Sequence, residues 1–350
     1  MERSIYRIID ANFNRAREAI RVIEEFCRFC LNSSSFTERA KQLRHQLSAT
    51  INKLDTGRLI SSRDAAADVG VDRTVDGPFR REDLHDCFVA SCKRLTEALR
   101  ALGEMTRIVE PSCARTFEEL RFAAYTLEKE IVIFSDTIEK FRRVRLYVII
   151  SSDLPVDVVS LAHRCVAEGA DCIQLRAKAL DDAALFALAA EFVGICRNGG
   201  VLSIINDRVD IATAVDADGI HLGQGDLPVE QARRLQFKPL IIGKSTHSMQ
   251  QLHAGCEERP TYLSLGPVFA TPTKPAVQPV GLNYVRQATE FLSNTAIAGV
   301  AVGGITLENL GGVLDAGAAA IAVCSAITAA GDPAAACRAL KEKIIASAKK

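Results

Sequence analysis

Two aspartates stand where acid chemistry would be expected. A short apolar run over residues 201–205 ends in Asn206-Asp207, and a second, Gly219–Leu222, ends in Gly223-Gln224-Gly225-Asp226. Runs of this length bounded by polar residues read as buried strands. The segment between them is long enough for a crossover helix, so the two strands can be parallel neighbours. Asp207 and Asp226 would then lie side by side at the carboxyl edge of one sheet, where α/β folds carry their chemistry. Two hard carboxylates with no nearby cysteine pair or His-x-x-x-His favour Mg²⁺ over zinc. The plain alternative is a pair of solvated loop acids.

Other apolar runs also end in polar residues of a consistent kind. Gln174, Arg176 and Lys178 close a run at 172–175. Lys244-Ser245-Thr246-His247 follows 240–243, and Thr271-Pro272-Thr273-Lys274 comes shortly after Tyr262–Leu265. Gly303-Gly304-Ile305 follows Ala298–Val302, and Cys324-Ser325 follows Ala320–Val323. Arg176, Lys178 and Lys274 supply positive charge beside the metal-seat acids, a mixture suited to a pyrophosphate bridged by Mg²⁺. The Gly303-Gly304 turn and Ser325 suit a second, simpler phosphate. Two small phosphorylated substrates are implied, one a diphosphate and one a monophosphate.

The elements that must position these residues form a repeat. With the run at 146–150, the apolar runs make eight strands, separated by helical stretches such as 156–168, 181–197, 228–235, 248–258, 282–292, 307–316 and 333–348. Eight βα units over residues 145–350 predict a (β/α)₈ TIM barrel. A doubly wound open sheet fits less well, because no G-x-G-x-x-G opens the first turn.

Residues 1–135 differ in character and predict an all-α helical domain, joined to the barrel by a linker at 136–144. Glu18-Ala19-Ile20-Arg21-Val22-Ile23-Glu24-Glu25 recurs as Glu97-Ala98-Leu99-Arg100-Ala101-Leu102-Gly103-Glu104. In register, Ala16, Ile20, Ile23 and Cys27 match Leu95, Leu99, Leu102 and Thr106, the stripe of an amphipathic helix. A second helix follows each copy, at 36–54 and 116–133, which gives two hairpins. Arg21/Glu25 and Arg100/Glu104 have the spacing of helix-surface ion pairs. Between the hairpins, Ser62-Arg63-Asp64-Ala65-Ala66-Ala67-Asp68-Val69-Gly70 reads as a capped connector or as a binding loop. Cys27 and Cys30 form a CxxC without a second pair, which favours core packing over metal or redox chemistry. No catalytic constellation stands out in this third, so its expected role is accessory.

The composition narrows the class. The 350 residues are 48% hydrophobic and 25% charged with formal net charge +0, as in soluble globular proteins. Neutral charge argues against general nucleic-acid binding. No signal core or transmembrane-length run is present. Eleven scattered cysteines read as reduced thiols in a cytoplasmic protein. Neither nucleic acid nor membrane is expected as a partner, and a homo-oligomer stays open.

Ile173-Gln174-Leu175-Arg176, Ile205-Asn206-Asp207-Arg208, Asp218-Gly219-Ile220-His221-Leu222-Gly223-Gln224, Gly243-Lys244-Ser245-Thr246-His247, Gly266-Pro267-Val268-Phe269-Ala270-Thr271-Pro272-Thr273-Lys274 and Ala301-Val302-Gly303-Gly304-Ile305 together resemble the thiamine-phosphate synthases. The resemblance covers residues 145–345. The first third resembles the helical extension that precedes this barrel in some bacterial members. The resemblance implies an alkyl transfer that joins an aminopyrimidine methyl diphosphate to a thiazole phosphate, or its carboxylate, and releases pyrophosphate. It implies Mg²⁺ on Asp207 and Asp226, and the pyrimidine diphosphate on Gln174, Arg176, Lys178, Asn206, Ser245 and Lys274. The thiazole phosphate falls to Thr271, Thr273, Gly303, Gly304, Cys324 and Ser325. Arg176, Ser245 and Lys274 are the catalytic candidates. Two positions depart from the family pattern: Ala177 replaces a usual acid, and Cys324 replaces a usual aliphatic residue. The implied chemistry is dissociative and needs leaving-group stabilisation and positioning rather than a strong base. His247 is a candidate base or an orienting residue. A thiazole tautomerase-like barrel would not need the diphosphate clamp. A non-catalytic thiamine-phosphate sensor would not need an intact metal seat.

Overall fold

The computed structural model describes residues 2–64, 81–152, 156–271 and 277–347, in two compact units, Met1–Ile133 and Phe134–Lys350. Ala65–Gly70 of the connector lie outside the described residues, as do Thr273 and Lys274.

The first unit is helical: α1 Glu2–Glu25, α2 Ser34–Ile51, α3 Thr56–Ser62, α4 Leu84–Val109 and α5 Pro111–Phe141, which runs on into the second unit. The duplicated stripe forms its core. Ala16, Ile20, Ile23 and Cys27 from the first copy are buried, as are Leu95, Leu99, Leu102 and Thr106 from the second. Ile20, Leu43, Leu47, Leu95, Leu99 and Leu120 meet around one small apolar gap. Each such side chain contributes roughly 1.5–3 kcal/mol by leaving water. The CxxC sits on a π-helical turn, Phe26–Cys30. Cys27 is buried, Cys30 is exposed, and both are free thiols. Arg100 pairs with Glu104 at 3.3 Å as the spacing suggests. Arg21 lies 3.9 Å from Glu24 rather than pairing with Glu25. Glu24 is the buried acid on this face, and Arg44 binds it from α2 at 3.0 Å.

The second unit is a closed parallel barrel of eight strands in sequential order. They are β1 Leu146–Ser151, β2 Cys172–Arg176, β3 Leu202–Asn206, β4 Gly219–Leu222, β5 Ile241–Thr246, β6 Tyr262–Leu265, β7 Ala298–Val302 and β8 Ala320–Val323. Nine helices follow or connect them: α6 Val158–Ala167, α7 Asp182–Asn198, α8 Val209–Ala214, α9 Val229–Leu235, α10 Met249–Glu257, α11 Gly281–Leu292, α12 Leu310–Asp315, α13 Ser325–Thr328 and α14 Pro333–Ser347, counted among the described residues. Asp157, Asp181 and Ser248 cap α6, α7 and α10 by accepting backbone N–H bonds.

Strand alternation separates two cores. Val148, Ile173, Ile205, Ile220 and Ile242 point outward and pack with Leu161, Phe192 and Val285 of the helices. Tyr147, Cys172, Ile204, Ile241, Tyr262 and Val300 fill the lumen together with Phe141 from the end of α5. The expected strands recur to within one residue at each end, apart from the longer extension of β5. β5 runs through Lys244 to Thr246, because each polar side chain finds a partner. Lys244 pairs with Glu258, and the Thr246 hydroxyl donates to the Ser264 carbonyl at 2.9 Å.

Candidate active site

β2, β3 and the β4 loop bring the acids and cations together. Lys178 Nζ lies 2.8 Å from Asp207 Oδ2. Asp207 has φ of 61°, an uncommon conformation for a non-glycine residue, and its N–H donates to the His221 carbonyl at 2.9 Å. Asp226 Oδ2 accepts the Gly223 N–H at 2.6 Å. The Asp207 and Asp226 carboxyls are in hydrogen-bond contact. Burial raises the Asp207 carboxyl above the usual range, against the pull of Lys178, and Asp226 adds to the rise. Burial works on Asp226 in the same sense, yet the bonds from Asp207 and the Gly223 N–H outweigh it and hold that carboxyl low.

This pair fits a magnesium ion. Two hard oxygen donors stand beside each other in a half-buried pocket, a donor set that suits a hard divalent cation. Among the described residues no group of three or more His, Cys, Asp or Glu forms a metal cage. Mg²⁺ commonly keeps waters and phosphate oxygens among its ligands, so two carboxyls are an ordinary protein donor set for it.

Neighbouring donors point the same way. Gln174 is 3% exposed. Among the described residues its Nε2 and Asn206 Nδ2 are buried without a hydrogen-bond partner. Leaving a buried donor unmade costs about 1–3 kcal/mol, so these two atoms mark places for a ligand. Arg176 Nη1 donates to Ser151 Oγ at 3.1 Å, which steadies the guanidinium at the barrel rim.

On β5, Ser245 is buried, and its Oγ lies 3.0 Å from His221 Nε2. Gln224 Nε2 donates to the Ser245 carbonyl at 2.5 Å. His247 Nδ1–H donates to the Gly266 carbonyl, and the His247 backbone N–H is held by Gln251 at 2.8 Å. A carbonyl only accepts, so the proton sits on Nδ1 and the ring is oriented.

The opposite side of the mouth is made of backbone. Gly303 and Gly304 have φ of 102° and 63°. A Cβ on Gly303 would lie 2.4 Å from that of Pro267, and one on Gly304 would lie 2.5 Å from the Ala270 carbonyl. Only glycine allows this turn to approach the β6 loop so closely. Phe269 N–H donates to the Gly303 carbonyl at 3.0 Å, and Asn309 Nδ2 donates to the Gly304 carbonyl at 2.9 Å.

Every described candidate lines one cavity: Gln174, Arg176, Lys178, Asn206, Asp207, Asp226, Ser245, Thr271, Gly303, Gly304, Cys324 and Ser325. Thr273 and Lys274 fall outside the described residues. Tyr147, Tyr262 and His221 line the same cavity without having been singled out. His221 stood within a quoted motif. The two tyrosines looked like ordinary strand residues, and only the lumen-facing phase of their strands hinted otherwise.

Two family models match the chain. Residues 146–327 match the family described as thiamine monophosphate synthase, and residues 7–130 match the ThiD2 family. The thiamine-phosphate synthase of Synechocystis is 37% identical over 94% of this chain and 93% of its own. That of Gloeobacter violaceus is 38% identical over 95% of this chain and 94% of its own. Thiamine phosphate pyrophosphorylase from Pyrococcus furiosus superposes with a TM-score of 0.54 at 32% identity, covering 58% of this chain and 96% of that one.

Proposed function

The chain belongs to the thiamine-phosphate synthase family, and on that premise we propose how its barrel mouth performs the alkyl transfer. A pyrimidine methyl diphosphate and a thiazole phosphate, or its carboxylate, are joined to thiamine phosphate. Pyrophosphate leaves, and CO₂ leaves with it when the carboxylate is used. The observation that carries the reading is the convergence of the polar ends of β2 through β8 on one cavity, with donors at Gln174 and Asn206 still unmatched.

Arg176 and Lys178, with Lys274, which follows β6 in the sequence, bind the diphosphate. Gln174 and Asn206 donate to the same substrate, and Ser245 lies against the pyrimidine. Asp207 and Asp226 would hold Mg²⁺, which when bound neutralises charge on the departing pyrophosphate. The bond from the methylene carbon to the diphosphate oxygen breaks first, and the aminopyrimidine stabilises the resulting cation. The thiazole nitrogen then attacks that carbon. Thr271, Thr273, Gly303, Gly304 and the Cys324-Ser325 turn hold the thiazole phosphate so that the nitrogen faces the cation. Positioning and charge stabilisation suffice, since no strong base or nucleophile is required. Ala177 and Cys324 leave this scheme intact, because neither is asked to bind through its side chain. Among the described residues no helix is long and apolar enough to cross a membrane. The described cysteines are free thiols, which supports a cytoplasmic enzyme.

Pyrophosphate release measured with both substrates, and with each omitted, tests the reading. Release is expected only when both are present with Mg²⁺. Binding of thiamine phosphate without any turnover would instead support a sensor. Thiazole isomerisation without pyrophosphate release would support a tautomerase.

A further inference from the structure

Beneath Ser245 a line of polar groups crosses the otherwise apolar lumen. Tyr147 Oη lies 2.9 Å from Tyr262 Oη, which lies 2.9 Å from His221 Nδ1. His221 Nε2 reaches Ser245 Oγ at 3.0 Å. These groups come from β1, β6, β4 and β5. Register explains how they meet. His221 pairs with Gly243 on β5, and Gly243 pairs with Tyr262 on β6. A Cβ on Gly243 would sit 2.0 Å from Tyr262 Cζ. The missing side chain therefore lets the phenol lie across β5 to the histidine two strands away. Phe141 stacks on the other side of Tyr262, with ring centroids 4.3 Å apart and planes 2° from parallel.

The direction of the chain follows from counting protons. Tyr147 and Tyr262 are fully buried. A phenol proton left unpaired there is costly. The Cys172 thiol also approaches the Tyr147 hydroxyl, but sulfur is a weak acceptor. Tyr147 therefore donates to Tyr262. The Tyr262 proton then goes to His221 Nδ1, which must be unprotonated. The neutral ring carries its proton on Nε2 and donates to Ser245 Oγ. The remaining hydroxyl proton of Ser245 is thereby turned away from the histidine and into the cavity.

We propose that Tyr147, Tyr262 and His221 are positioning residues that fix Ser245 as a hydrogen-bond donor to a ring nitrogen of the pyrimidine substrate. The proposal rests on the synthase reading above and deepens it. Ser245 touches the substrate, and the other three act through it. Holding this donor in place fixes the plane of the ring whose electrons must stabilise the methylene cation.

Tyr262→Phe is the informative variant, since it keeps the ring stacked on Phe141 and removes only the hydroxyl. Its kcat for pyrophosphate release is expected to fall about tenfold, with the KM for thiazole phosphate unchanged. In a Ser245→Ala background the same change is expected to have no further effect. An unchanged kcat in Tyr262→Phe, or an equal loss in both backgrounds, would overturn the proposal. Nitrogen-15 spectra of histidine-labelled full-length protein give a reading independent of turnover. A neutral His221 protonated on Nε2 is expected, and an imidazolium or an Nδ1–H tautomer would overturn the relay. If the unsubstituted chain released no pyrophosphate from the two substrates, the synthase reading would fail while the spectra still decided the relay.

Discussion

The two units of this chain treat their polar groups in opposite ways. In the helical unit, charged side chains are matched to one another. Asp10 takes two bonds from Arg63, at 2.8 and 2.7 Å, and Glu24 takes Arg44 at 3.0 Å. Lys93 takes Glu128 at 2.8 Å. In the barrel mouth the pairing is deliberately incomplete. Two carboxyls stand side by side, one of them raised by its burial, and among the described residues the buried amides of Gln174 and Asn206 have donors without partners. Groups that hold a fold together satisfy one another, whereas groups that hold a ligand are kept waiting for it. Removing a charge should thus lower stability in the first unit and activity in the second.

The largest expected effect is at the proposed metal seat. Asp207→Ala or Asp226→Ala should each lower kcat by roughly a thousandfold or more, as should chelation, since stabilisation of several kcal/mol is lost. Thermal unfolding should change little, because burial penalises the charged form of both carboxyls. Near-normal turnover in chelator would contradict the Mg²⁺ assignment.

Next in size is Glu24→Ala in the helical unit. It leaves Arg44 without its buried partner and should cost about 2 kcal/mol of stability, less than for a fully buried pair because Arg44 stays partly solvated. Chemical denaturation would measure the loss, and turnover per folded molecule should not change. A loss of kcat without a loss of stability would blur the contrast between the units.

Much of this contrast was legible in the sequence. Gly219–Leu222, Tyr262–Leu265, Ala298–Val302 and Ala320–Val323 recur as strands with the same bounds. The polar residues at their ends meet as expected because a parallel barrel gathers every strand's carboxyl end at one face. The duplicated stripe marked the helical core for the same reason of periodicity. What stayed hidden depended on partners distant in sequence. Lys244 looked like a strand end until Glu258 paired with it. Tyr147 and Tyr262 are 115 residues apart, and nothing local announces that their hydroxyls touch. Glu24 rather than Glu25 binds the arginines because helix rotation against α2, not spacing along α1, decides which acid is buried.

A smaller effect is expected at the thiazole end. Ser325→Ala should raise the KM for thiazole phosphate about tenfold with kcat nearly unchanged, since that phosphate does not react. Weakened binding of the pyrimidine substrate alone would show that the two ends are reversed.

The smallest effect is on alkaline stability. Burial raises the phenols of Tyr147 and Tyr262 well above their usual value. Unfolded tyrosines ionise near pH 10, at about their reference value. The folded pKa lies above the unfolded one, so this contribution is complete below pH 10. It is lost as pH rises further, because only the unfolded chain releases the proton. Each tyrosine should remove up to about 1.4 kcal/mol per pH unit above 10. Buried thiols such as Cys27, pushed up to about 12, add an earlier loss in the helical unit. Urea unfolding at pH 9 and 11 should show a shallower fall for Tyr147→Phe in the barrel transition only.

The most direct test of the division of labour is pyrophosphate release by residues 134–350 alone, with folding checked by circular dichroism. The second unit holds every proposed ligand, along with Phe141 beneath the lumen. The fragment is expected to fold and to turn over within about threefold of the full chain when both substrates and Mg²⁺ are present. A folded fragment that binds both substrates yet releases no pyrophosphate would contradict the account, and would place part of the catalytic machinery in the helical unit.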